Sequence, residues 1–230
     1  MTETEYPGRV KRALFQHHPS AFLLAAQALL LILYVVFDEI HSGRALISAL
    51  GVVVLMLVVW VVTHSPAVNW VAWVLAVPAF LLSMISALTP NATLLAWSAL
   101  LEGILYFYAA GSMIAYMMED TLVTVDELFA AGATFTLLAW GFAYLFMVVQ
   151  IWSPGSFVSQ LNSGQPLTFL EFLSLSFTNL SATGLSDVLP AAKMARVLVM
   201  LAQFTGVGYV AVVVSRLIGL TIQRTGRKRG

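Results

Sequence analysis

The residues best suited to chemistry lie in one polar run, Thr178-Asn179-Leu180-Ser181-Ala182-Thr183-Gly184-Leu185-Ser186-Asp187, in a chain whose residues are 60% hydrophobic and only 10% charged. The run offers oxygen: hydroxyls, backbone carbonyls and one carboxylate. Backbone carbonyls can replace the water shell of a cation when they all turn the same way. That arrangement needs unusual backbone angles and favours glycine, of which the run has one, Gly184. A second chemical candidate is Glu102. It lies inside an apolar run, where an ionised carboxylate costs about 3 kcal/mol at a bilayer centre. Its readings are a buried switch or ion-relay group, or a protonated or hydrogen-bonded side chain facing other helices. Enzymatic chemistry is not expected. There is no cysteine, no His-Glu-x-x-His, no Gly-x-Gly-Asp and no nucleophile–base pair in the apolar segments.

These residues must be positioned by elements suited to lipid. A soluble domain carries roughly 25% charged residues, and a chain with so few charges and a mean hydropathy of +0.90 cannot clothe a water-facing surface. Its first apolar run is too long for a cleavable signal and lacks a cleavage site. About 20 apolar residues cross a bilayer core, and six runs qualify: 20–37, 45–63, 67–88, 92–118, 130–152 and 194–220. Short polar breaks make the first four an antiparallel bundle, residues 20–118. An acidic linker, 119–129, follows, in which Thr124 and Glu127 suit a capping box opening the fifth helix. The remainder, 130–220, comprises an outer helix, a half-crossing helix at 168–180 opened by a Thr168–Glu171 capping box, a non-helical stretch at 181–187, and an inner helix, 194–220. A re-entrant helix buried in protein is one of the few ways non-spanning backbone can sit at membrane depth. The fold expected is thus an all-α integral membrane protein of six spans and one re-entrant helix.

Lysine and arginine set orientation. Arg9, Lys11, Arg12, Arg216, Arg224, Arg227, Lys228 and Arg229 fall on the side of both termini, whereas Arg44, Lys193 and Arg196 fall opposite, accounting for all 11. The N-terminal segment 1–19 and the basic tail 221–230 are therefore expected in the cytoplasm of a cell carrying the chain in its inner or plasma membrane. The tail suits anionic lipid and is too short for a nucleic-acid site.

From residue 175 to residue 220 the chain resembles the pore loop and inner helix of bacterial potassium channels. Their pattern T-T-V-G-Y-G-D, followed shortly by proline, aligns without gaps on Thr178 to Asp187 when Ala182-Thr183-Gly184-Leu185-Ser186 stands for T-V-G-Y-G, and Pro190 falls where the family keeps its proline. The single-glycine loop also resembles those of Trk, Ktr and HKT transporters. The resemblance implies a homotetramer passing potassium or sodium as permeant ions, without a cofactor. It assigns Ala182 to Ser186 to the selectivity filter, Asp187 to the outer mouth, Thr178 and Ser181 to the pore helix and cavity, and Gly206 to a gating hinge, although Gly206 and Gly208 equally suit close helix packing. Threonine, tyrosine and the second glycine of the family pattern are replaced by Ala182, Leu185 and Ser186. A left-handed backbone at Ser186 would cost roughly 1–2 kcal/mol, so weakened selectivity is expected. The fourth span has no arginine, which argues against voltage gating. The alternative is a non-conducting structural or regulatory subunit that keeps the pore fold.

Other polar groups read as surface or capping residues. Glu119, Asp120, Asp126 and Glu127 suit a solvated linker or a cation-concentrating ring. His17, His18, Asp38, Glu39 and His41 read as exposed, and Asn91 as a helix cap rather than a glycosylation site.

Overall fold

Long apolar runs bounded by polar breaks become helices because a helix satisfies every backbone polar group within its own segment. The computed structural model describes residues 19–37, 56–60, 69–89, 91–119, 125–161 and 164–227. Its elements are α1 (Pro19–Phe37), α2 (Asn69–Leu88), α3 (Ala92–Glu119), α4 (Val125–Trp152), β1 (Phe157–Ser159), α5 (Phe169–Leu180), β2 (Val188–Pro190) and α6 (Lys193–Arg227). Among the described residues three stretches are long and apolar enough to cross a membrane: Ala92–Met118, Asp126–Trp152 and Lys193–Arg216. The protein is mostly helical, and these three helices are what a membrane protein requires. Ser20–Leu33 and Trp70–Ser86 are shorter apolar helices. Of the expected span 45–63 only 56–60 is described, and it is helical. The N-terminal segment, the loops carrying Asp38, Glu39 and His41, Asp120, Thr124 and residues 228–230 lie outside the described residues.

α4 is the central element. Of its most apolar stretch 61% is buried, against 17% for α6. Small residues allow the close approaches. A Cβ at Gly141 would lie 3.1 Å from the Phe107 ring, and one at Gly132 would lie 3.0 Å from Leu24. Stacked rings fill the α3–α4 seam, with Tyr106 against both Trp140 and Tyr144, and Phe169 joins α5 to Tyr144 and Trp140. Polar pairs fasten α1 to α4: Ser20 donates to Asp126 at 3.3 Å, and Thr136 donates to the buried Gln27. Such bonds contribute about 0.6 kcal/mol each in membrane bundles. Asn91 caps α3 as expected, accepting from the Thr93 amide at 2.9 Å.

Three expectations need correction. The linker expected at 119–129 ends sooner: α4 starts at Val125, where the Thr124–Glu127 motif places its opening, and Asp126 and Glu127 form its acidic first turn, a favoured charge for a helix N-terminus. Both are buried, so neither belongs to a solvated linker or an open ring: Asp126 accepts from Ser20 and Tyr116, and Glu127 pairs with Arg216 at 3.2 Å. The inner helix is longer than expected and runs on to Arg227, taking in most of the basic tail. The chain is also not wholly α-helical. Strands β1 and β2 pair antiparallel, Phe157 opposite Pro190 and Ser159 opposite Val188, and Gln160 N–H extends the ladder to the Asp187 carbonyl at 2.9 Å.

Candidate functional site

The polar run of interest is built on α5. Thr168 opens the helix: its hydroxyl accepts from the Glu171 amide, and the Glu171 carboxylate accepts from the Thr168 amide at 2.6 Å. At 12 residues the helix is about 18 Å long, short of a bilayer core of about 30 Å. One face buries Phe172, Leu173, Leu175, Ser176, Asn179 and Leu180 against the bundle.

The helix ends in a Schellman motif. Ser181 is still right-handed, and Ala182 follows at φ +58°. The Thr183 amide bonds the Thr178 carbonyl at 2.9 Å and the Ala182 amide bonds that of Asn179 at 3.0 Å, the 6→1 and 5→2 pair of this cap. The Gly184 amide, at φ +64°, also reaches the Thr178 carbonyl at 3.0 Å. Two hydroxyls converge on the same oxygen, Ser181 at 3.2 Å and Thr183 at 3.1 Å. Thr178, Ser181, Ala182, Thr183 and Gly184 thus form one hydrogen-bonded knot.

Peptide planarity gives that knot a direction. In a trans peptide the carbonyl lies antiparallel to the N–H that follows it. Three successive amides, of Ala182, Thr183 and Gly184, point into the last turn of α5. The carbonyls of Ser181, Ala182 and Thr183 must therefore all point away from it. Alternation of negative and positive φ from 181 to 184 is what allows neighbouring carbonyls to share a side, and residues 181–185 are exposed. Below the loop an open hollow of about 390 Å³ lies between Leu180, Ser181 and Ala182 and the α6 face bearing Val207, Val210 and Ala211.

No family model, curated protein or solved structure matches the chain.

The remaining expected site residues divide among separate places. Leu185 is 82% exposed. Ser186 does not adopt a left-handed backbone; Ala182 is the described non-glycine residue that does, so the expected strain moves from the far end of the loop to its start. The Ser186 hydroxyl accepts from the Val188 amide at 3.1 Å, and the Asp187 carboxylate accepts from Ser159 at 3.4 Å. Asp187 is therefore tied to the β-ribbon, beside the loop. Gly206 packs against backbone: a Cβ there would lie 2.0 Å from the Leu180 carbonyl oxygen. α6 runs through this position as continuous helix. Glu102 sits apart in the α3–α4 seam, hydrogen-bonded to Tyr144.

Sequence reasoning missed two partners. Asn179 is buried, donates to the Leu175 carbonyl at 2.7 Å and accepts from Gln203 at 2.9 Å. Gln203 is an amide within an otherwise apolar span, a signal of the same kind as Glu102. The Glu127–Arg216 pair was hidden by the long separation between its partners in the chain.

Proposed function

We propose that the chain is one subunit of a homotetrameric channel for passive monovalent cation flow, potassium first, with residues 181–186 lining the pore. The observation that carries this reading is the shared direction of the Ser181, Ala182 and Thr183 carbonyls on a half-length helix. One chain supplies one such row, so a ring of ligands that could replace a hydration shell needs copies around an axis. The exposed apolar face of α6, with Phe204, Val207, Val210 and Val214, suits lipid or neighbouring copies. Six spans with cytoplasmic termini belong to the same proposal and rest on the hydropathy and charge pattern. The resemblance to potassium-channel and Trk-type loops agrees with it.

A second reading is favoured by a specific observation. The Thr178 carbonyl is satisfied by four donors from its own loop, so the knot is complete without an ion, as a non-conducting subunit would need. Reconstitution into liposomes discriminates the two. The expected outcome is potassium flux with weak discrimination against sodium, from a species with the mass of four chains. Tetramers without flux of either ion favour the non-conducting subunit; monomers without flux overturn both readings of the loop.

A further inference from the structure

We propose that the cleft between α3, α4 and α6 binds an anionic membrane lipid, with its acyl chain in the cleft and its phosphate at Arg216. The cavity holds about 370 Å³, and its walls are almost wholly apolar, among them Ile114, Met117, Ala131, Leu138, Val212 and Val213. Gly208 lines it, and a Cβ there would have no neighbour within 4 Å, so a missing side chain helps make the space. Arg216 and Glu127 close one end, paired at 3.2 Å with side chains 15% and 2% exposed. A guanidinium carries five N–H donors in a planar fork, enough to hold a phosphate oxygen alongside one carboxylate.

The stripe of α6 that lines the cleft extends the charge. Thr205, Gly208, Tyr209, Val212, Val213 and Arg216 recur at spacings of three and four, one face of a helix. Continuing that face along α6, which runs to Arg227, reaches Arg224 and Arg227 within about 80° of arc of Arg216 at 3.6 residues per turn. A slot with almost wholly apolar walls and a guanidinium at its end fits an amphiphile with a negative head. A free anion would leave the slot unfilled, and a neutral chain would not use the arginines. One leaflet of a bilayer supplies both parts together. This inference rests on the membrane reading and is independent of conduction.

The test is native mass spectrometry of the full chain in detergent offered equal phosphatidylglycerol and phosphatidylcholine. The expected result is preferential retention of phosphatidylglycerol. Arg224→Gln with Arg227→Gln should reduce that preference by about fivefold per arginine. Arg216→Gln paired with Glu127→Gln, which leaves no lone buried charge, should do the same. Gly208→Leu, which fills the slot, should lower retention of both lipids. Equal retention of the two lipids by the parent protein overturns the proposal. So does unchanged preference in both arginine variants, or displacement of the lipid by inorganic phosphate alone. Because the readout is bound mass, it fails or succeeds separately from any measurement of ion flux.

Discussion

At the scale of single residues, Ala182 carries the strain of the loop. Its φ of +58° costs an L-residue about 1–2 kcal/mol, whereas glycine accepts it with only an entropic penalty of about 0.5–1 kcal/mol. Ala182→Gly is therefore expected to raise stability by about 0.5–1 kcal/mol, or about 1–4 °C in thermal midpoint for a chain of this size. Ala182→Thr, although it restores the potassium-channel pattern, places a β-branched residue in left-handed backbone and should lower the midpoint. Thermal unfolding in detergent checks both, and a Thr variant as stable as the parent would refute the assignment of strain to this position. Under the proposed channel function, Leu185→Tyr with Ser186→Gly is then the better route to the potassium-channel pattern. Those side chains lie outside the knot, and the expected gain is a reversal potential shifted towards potassium.

At the scale of elements, α6 is held to the bundle at a few places that invite contrasting substitutions. Gly206 touches the end of α5 through backbone, so Gly206→Ala must push the helices apart. Overpacking costs about 1–3 kcal/mol or more, and the absence of any slack against Leu180 puts this case at or beyond the upper end. Gly208→Ala, two residues on, meets open space and is expected to be neutral or stabilising by up to about 1 kcal/mol through helix propensity. Equal effects of the two would show that α6 does not cross α5 at Gly206. Glu127→Gln leaves the Arg216 guanidinium without its carboxylate, at an expected cost of about 2–3 kcal/mol given its partial exposure. Adding Arg216→Gln should recover most of the loss, which a double-mutant cycle in urea or heat measures. Much of this level was legible beforehand. The capping boxes and hydropathy runs located α1, α3, α5 and α6 to within a residue or two at their starts, because Asn91, Thr168 and the polar breaks act locally. The start of α4 at Val125 was legible from the Thr124–Glu127 motif, but the burial of its acidic first turn was not. Asp126 and Glu127 look like linker charges until Ser20, Tyr116 and Arg216, distant in sequence, are seen to hold them.

At the scale of the whole molecule, composition points to lipid as the solvent, and the three spanning-length helices among the described residues are consistent with that. The order of half-length helix, polar loop and long helix was equally plain from lengths alone. The left-handed turn at Ala182 was not, since alanine gives no local sign of it, and neither was the β-ribbon, whose two strands are short, far apart in sequence and ordinary in composition. That ribbon has a structural corollary. Pairing Phe157–Ser159 with Val188–Pro190 brings the two stems of the intervening segment to the spacing of neighbouring strands, about 5 Å. Everything between the stems, α5 and the loop included, is therefore a closed excursion whose entry and exit coincide. Seen from α4 and α6, it is an insertion between two helices that would otherwise be joined by a hairpin. Loops of different sequence could be exchanged at residues 160 and 187 while the end-to-end geometry required of the flanking helices stays the same, so the chemistry of the loop can change without the scaffold having to follow.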